Sequence, residues 1–202
     1  MFQRIGGIVL LALLFLQNIG AARLDQAPQA KELCFQQETG WCIRDRFLEY
    51  WWSNGGLPVF GYPLSPPRNE INRETGKSYL TQWFERARFE LHPELAAPYD
   101  VLLGRLGDDG LQQRGVDWHQ QPGANGVAPT NCGSFGPGGL SIFVCDQAPG
   151  VGFWAYWRHH GRELGDPGIS ERESLALFGL PLTMAQMERN QEGETYLTQW
   201  LE

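Results

Sequence analysis

The chain has no cluster of basic residues, no apolar run of membrane-spanning length after its first residues, and none of the short motifs that mark common catalytic chemistry. Each absence removes a class. Nucleic-acid binding needs Lys and Arg against phosphates, and here 16 basic residues are outnumbered by 23 acidic ones, for a formal charge of −7. His-Glu-x-x-His, Gly-x-Ser-x-Gly and a phosphate loop are missing. The Gly-rich stretch Cys132–Gly139 lacks both a strand–helix context and a lysine. No cofactor motif is present, so no cofactor is expected.

What is present begins with an export signal. Arg4 precedes the apolar run Ile8–Leu16, and Gly20-Ala21-Ala22 supplies small residues for cleavage. Residues 1–22 therefore read as a removable leader; the run is short for a spanning helix, and its removal with Arg4 takes the charge to −8. The membrane is then expected to be met through this leader alone. Outside the cytoplasm, the four cysteines, Cys34, Cys42, Cys132 and Cys145, suggest disulfides. Of three pairings, Cys34–Cys42 with Cys132–Cys145 is favoured, because each pair brackets a Gly-containing turn. Each bond closes a short loop, worth about 2–3 kcal/mol on the chain-entropy view. A zinc site is disfavoured, since Cys-x-x-Cys and a nearby His pair are missing.

The dominant feature is internal repetition. Phe60-Gly61-Tyr62-Pro63-Leu64 returns as Phe178-Gly179-Leu180-Pro181-Leu182, and Tyr79-Leu80-Thr81-Gln82-Trp83 returns unchanged as Tyr196-Leu197-Thr198-Gln199-Trp200. Phe47, Tyr50, Trp51 and Gly55 match Phe153, Tyr156, Trp157 and Gly161; Glu70 and Asn72 match Glu188 and Asn190. The second copy carries extra residues from Arg162 to Glu173. It also stops at Glu202, whereas the first runs past Glu85 into Arg86-Ala87-Arg88-Phe89-Glu90-Leu91-His92-Pro93. The second copy is thus expected to lack its last strand, as a fragment of a longer array or as an incomplete terminal unit with an open edge for self-association.

The local signals define one unit. Phe47, Tyr50, Trp51 and Asn54 fall at i, i+3, i+4, i+7 within Arg44–Asn54, which predicts an amphipathic helix stopped by Gly55-Gly56. Phe153–His160 repeats it. Gly61-Tyr62-Pro63 forces a corner. Glu70-Ile71-Asn72, a turn through Gly76, Ser78–Glu85 and Phe89–Leu91 read as a small antiparallel meander. The expected fold class is α+β: tandem small repeats, each a short amphipathic helix, a Gly-x-Pro corner and a β-meander. The predicted divisions are a first module with a disulfide-stapled hairpin at 34–107, a Gly/Pro-rich linker at 108–139, and a C-terminally incomplete second module at 140–202.

Gly56-Leu57-Pro58-Val59-Phe60-Gly61-Tyr62-Pro63 with Thr81-Gln82-Trp83-Phe84-Glu85 resembles the LGFP repeat of bacterial cell-envelope proteins. It resembles more closely a relative of that repeat found in tandem in secreted bacterial proteins. The resemblance covers about residues 44–93 and 153–202, with Phe60 in place of the usual Leu. It implies a non-catalytic module, often appended to hydrolases or transferases, that holds its owner on cell-wall polysaccharide. No such enzyme domain lies in this chain.

Eight Trp in 202 residues is a high share. Tyr62, Tyr79, Gln82 and Trp83 are the candidate ligand platform, because aromatic faces stack on sugar rings and amides bond hydroxyls; the competing role for the tryptophans is a compact aromatic core. Glu70, Glu85 and Glu90 are the carboxylates to weigh for glycosidase chemistry. Glu70 and Glu85 recur as Glu188 and Glu202, which fits structural pairing better than catalysis. His159-His160 and Asp117-Trp118-His119 are weak metal candidates, since adjacent helical residues face different ways. The expectation is a secreted, non-enzymatic surface module that binds envelope polysaccharide, with a protein-interaction repeat second and a cell-wall hydrolase third.

Overall fold

A disulfide opens each half of the structure. The computed structural model describes residues 31–136, 141–162 and 167–202; the expected leader at 1–22 and the last residues of the expected linker, 137–139, lie outside them. Strands β1 (Glu32–Phe35) and β2 (Trp41–Arg44) form a hairpin in which Cys34 stands opposite Cys42 and is bonded to it. Further on, β7 (Cys132–Phe135) and β8 (Ile142–Ala148) place Cys132 opposite Cys145, also bonded. Facing positions on neighbouring antiparallel strands are close enough for a sulfur bridge, so the local pairing follows from the hairpins.

Helix α1 (Asp45–Ser53) follows the first hairpin and buries Phe47, Leu48, Tyr50 and Trp51. It ends where the Asn54 side chain donates back to the Tyr50 carbonyl, 2.8 Å away, and Gly55 takes φ 104°. A short second helix, α2 (Gly56–Phe60), lies where the sequence carries no helix signal. Gly55-Gly56 reads as a helix stop and Gly61-Tyr62-Pro63 as a corner, and Pro58 lies between them. Pro58 is tolerated because it lies in the first turn, where the missing N–H would have no partner. The Arg86 guanidinium holds the turn's far end, donating to the carbonyls of Leu57 and Val59 at 2.6 and 3.1 Å.

Beneath these helices lies a four-stranded antiparallel sheet in the order β3 (Arg68–Ile71), β4 (Ser78–Trp83), β5 (Arg88–Leu91), β6 (Val101–Leu103). Its apolar contact with α1 and α2 is aromatic. The Phe89 ring is fully buried, 4.2 Å from Phe84, 4.8 Å from Tyr50 and 4.8 Å from Phe60 between ring centres. Burial pushes the Tyr50 phenol well above its usual range.

The C-terminal half has β9 (Val151–Gly152) paired to β8, then α4 (Phe153–His159), α5 (Glu171–Phe178), and a two-stranded sheet of β10 (Gln186–Arg189) and β11 (Thr195–Thr198). Helix α5 begins with a capping box in which Ser170 and Glu173 satisfy each other's backbone N–H. The residues from Arg162 to Glu173 that had no counterpart earlier in the sequence thus lead into a longer helix than α2. The molecule is of mixed helix and antiparallel-sheet type, in agreement with the expected α+β class.

The stretch 108–139 is not a plain linker. It contributes most of helix α3 (Leu106–Gln113), a 3₁₀ turn at Trp118–Gln120 and strand β7. Gly107 and Gly110 lower the helix propensity of α3 and hid it. Packing overrides that preference: Leu111 is buried, and Asp108 and Asp109 sit in the first turn, where negative charge is favoured.

One pattern of side-chain bonds recurs in both halves. The Gln82 side-chain amide donates to the carbonyls of Cys42 and Ser65, both at 2.9 Å, and that of Gln199 donates to Phe143 and Thr183, both at 2.9 Å. Each amide joins a strand to the disulfide hairpin and to the corner after proline. Because Gln82 is fully buried, Gln82→Ala leaves two carbonyls without a donor. We expect a loss of about 3 kcal/mol in urea unfolding, read as a lower midpoint at unchanged slope.

Candidate functional site

Helix α3 bonds residues of the four-stranded sheet on one side and meets Trp200, just after β11, on the other. On one side Asp109 accepts from Arg73 at 3.0 Å and from Arg88 at 2.5 Å. Arg88 also bonds Glu90 at 2.8 Å, and its guanidinium lies 5.2 Å from the centre of the Trp83 ring. On the other side a Cβ on Gly110 would come within 2.8 Å of the Trp200 ring, and one on Gly107 within 1.6 Å of the Leu201 carbonyl oxygen. Only glycine permits that approach. The Gly107 N–H donates to the Glu202 carbonyl at 3.0 Å.

Both tryptophans are held in the same way. The Trp83 indole N–H donates to Glu70, 3.1 Å from each oxygen, and that of Trp200 donates to Glu188 at 2.8 Å. Each ring has an arginine near its face, but from different elements. Arg88 of β5 serves Trp83, whereas Arg114, just past α3, lies 5.1 Å from the Trp200 ring centre and bonds Glu188 at 2.8 Å. Burial disfavours the Glu188 charge, but bonds from Arg114, Trp200 and Gln186 outweigh it and hold the carboxyl below its usual range.

A cleft of about 630 Å³ lies beside α3 and is lined by Glu74, Arg105, Asp108, Gln112, Trp118 and His119, among others. The Trp118 indole N–H donates to Asp108 at 2.5 Å, and Gln112 donates to the same carboxylate at 3.0 Å. Arg105 pairs with Glu74 and, at 2.7 Å, with Glu202, while its guanidinium lies 5.9 Å from the Trp118 ring centre. The cleft therefore combines an indole with carboxylate acceptors and guanidinium and amide donors. That donor and acceptor mix suits hydroxyl-rich ligands.

The four residues expected to form one platform do not do so. Gln82 is fully buried on the helix-facing side of β4. Tyr79 and Trp83 lie on the opposite face, as strand alternation requires. Tyr79 is buried there, stacked at 3.8 Å on His92 with its hydroxyl donating to Glu94 at 2.9 Å. Burial and the Glu94 bond raise its phenol above the usual range. Tyr62 stands apart and packs edge-on against Phe35 at 5.1 Å. The cleft was missed because its residues come from a turn, a helix and a loop separated in sequence. Trp118 was visible only as a metal candidate.

The carboxylates weighed for glycosidase chemistry all carry structural bonds. Glu70 holds Trp83 and Arg68; Glu85 accepts from the Tyr62 N–H at 3.1 Å; Glu90 accepts from Arg88 and from Asn72 at 2.8 Å. Asp117 caps the 3₁₀ turn through the His119 N–H. His159 and His160 each place Nδ1 against a carbonyl of α4, at 2.7 and 2.8 Å. The one cluster of potential metal-ligating atoms among the described residues is Glu32, Cys34 and Cys42, and both sulfurs are joined in the disulfide. Among the described residues no helix is long and apolar enough to cross a membrane. No protein-family profile, curated protein or solved structure matches the chain.

Two outcomes follow from the α3 contacts. Gly107→Ala puts a methyl into the Leu201 carbonyl and is expected to cost about 2–3 kcal/mol, measured by thermal unfolding. Glu188 carries a folded-state affinity for protons below the unfolded one, so its contribution is present at neutral pH and lost as pH falls through the acid carboxylate range. Glu188→Gln should cost about 1 kcal/mol at pH 7, because Arg114 is half-exposed and screened. The variant's stability should also fall less on acidification, as followed by circular dichroism from neutral to about pH 3.

Proposed function

We propose that the chain is a secreted, non-catalytic module of the cell exterior that binds envelope polysaccharide, built from two copies of one fold unit. The observation that carries the ligand class is the cleft beside α3. It offers the Trp118 indole together with Asp108, Glu74, Arg105 and Gln112, the mix that stacks on a sugar ring and bonds its hydroxyls. Two disulfides favour an oxidising compartment. The leader-like residues 1–22 and the resemblance to the LGFP repeat of cell-envelope proteins point the same way.

The two-copy reading is supported by bonds that recur at matching residues. Gln82 and Gln199 each bond one carbonyl of a disulfide hairpin and one just after a Gly-x-Pro corner, Glu70 and Glu188 hold equivalent tryptophans, and the Glu85 and Glu202 side chains accept from the N–H groups of Tyr62 and Leu180 at 3.1 and 3.0 Å. Asn72 and Asn190 each organise the hairpin turn through their side-chain oxygens. On this reading the repeated residues build the unit, and the ligand is taken by residues between the copies. The carboxylates engaged with Trp83 and Trp200 then serve as structural anchors, which places hydrolysis behind binding.

The test is a sedimentation assay with purified bacterial cell-wall polysaccharide. The protein should co-sediment well above an albumin control, and Trp118→Ala should weaken binding about tenfold, the size of one lost aromatic contact. Retention equal to albumin, or an unaffected Trp118→Ala variant, would overturn the assignment to this cleft.

A further inference from the structure

Trp51 and Trp157 hold matching places on α1 and α4, and both are buried, at 4% and 2% exposure. Their indole N–H groups fare differently. That of Trp51 donates to the Gly61 carbonyl at 3.1 Å. That of Trp157 is enclosed, and among the described residues it meets no acceptor. An indole nitrogen can only donate, and a buried donor left unpaired is costly enough to call for an explanation.

The difference lies beside residues that only the second half has. In the first half the start of α2 lies on the Trp51 ring, so that a Cβ on Gly56 would stand 3.3 Å from it. In the second half the stretch from Arg162 to Glu173 enters before and into α5, and a cleft of about 380 Å³ opens beside Trp157. Trp154, Arg158, His159, Ile169, Glu171 and Ser174 complete its lining. Sites for small ligands span about 300–1,000 Å³. The aromatic wall is fixed in place. Trp154 lies 5.4 Å from Trp157 and nearly parallel to it, and the Arg158 guanidinium lies 5.1 Å from the Trp154 ring centre. A Cβ on Gly133 would strike the Trp154 ring at 2.4 Å, so the ring rests on the β7 backbone.

The lining sets the chemistry of the ligand. The Trp157 N–H asks for an acceptor. Arg158 and Glu171 bring one charge of each sign, so a neutral acceptor is favoured over a carboxylate or a phosphate. The walls near the donor are apolar, formed by the two indole rings and Ile169, which suits a carbonyl that carries a small apolar group. Glu171 offers an acceptor for an N–H beside it. We propose that this cleft takes the acetamido group of an N-acetylated amino sugar. The acetamido carbonyl accepts from the Trp157 N–H, its methyl lies against Ile169 and the indole rings, and its N–H donates to Glu171. The inference rests on the polysaccharide reading and deepens it by naming a sugar class and a second contact. The cleft at Trp118 shares no lining residue with this one.

The experiment titrates the whole exported chain with the tetramer of N-acetylglucosamine and with the same tetramer freed of its acetyl groups, followed by calorimetry. The acetylated tetramer should bind saturably and the free-amine form about tenfold more weakly, the size of one hydrogen bond. In proton–nitrogen correlation spectra, one of the eight indole N–H resonances, the one that Trp157→Phe removes, should move with the acetylated tetramer. Trp157→Phe should weaken that tetramer about tenfold and leave the free-amine form unchanged. Ile169→Asp, at a position 41% exposed where the fold is not at stake, should do the same. Equal binding of the two tetramers, no binding by about 1 mM to a chain that circular dichroism shows folded, or an unmoved Trp157 resonance overturns the inference. So does loss of binding in Trp118→Ala, which puts the acetamido group in the other cleft. Co-sedimentation with wall polysaccharide keeps the two readings apart. Retention there without tetramer binding removes the acetamido site alone, whereas tetramer binding without retention removes the polysaccharide reading and leaves the site.

Discussion

A side-chain amide at or just past the end of a strand, Gln82 in one half and Gln199 in the other, joins that strand to a disulfide hairpin and to the chain after a Gly-x-Pro corner. Gln82 donates both of its N–H bonds to carbonyls, one of Cys42 within strand β2 of the disulfide hairpin and one of Ser65 just after the Gly-x-Pro corner. Strand β2 pairs only with β1 and Ser65 lies outside the strands, so the side chain supplies donors to both carbonyls, and a buried carbonyl without a donor is costly. A side chain with two donors on one nitrogen meets the need at one point. The same geometry at Gln199 relates β11 to Phe143 and Thr183. With the amide in place, the aromatic residues of α1 face the sheet and the following tryptophan is presented on the other side.

The second constraint is the close approach of α3. Gly107 and Gly110 let a helix backbone touch Leu201 and the Trp200 ring, and Asp109 draws Arg73 and Arg88 from the other sheet. Arg114 then takes a position over Trp200 like that of Arg88 over Trp83. The polar cleft with Trp118 arises as the outer side of the same junction, since Asp108 and Gln112 belong to α3 and Arg105 immediately precedes it. Packing and candidate ligand chemistry thus share one short element.

Much of this was legible from residue order. The spacing of Phe47, Tyr50 and Trp51 placed α1 to within a residue at each end, because four apolar side chains on one face of a helix leave a periodic trace. The cysteine pairs followed from turn signals between them. Helices α2 and α3 were hidden by glycine and proline, whose low propensity was outweighed by Arg86 bonding the end of one and by Leu111 burial in the other. The expected ligand platform does not form. Tyr79, Gln82 and Trp83 are neighbours in sequence, but a pleated strand sends Gln82 to the opposite face from the other two.

The sequence by itself determined the local elements and their recurrence: the periodic helix, the Gly-x-Pro corners, the hairpins and the disulfide pairs all depend on residues close together in the chain, where spacing is a direct record of geometry. Only the tertiary structure decided which aromatic residues are core, where α3 lodges, and that Trp118, Arg105, Glu74 and Asp108 face one cleft. Those relations join residues tens of positions apart, and they are settled by burial and by the pairing of charges, which no local pattern carries.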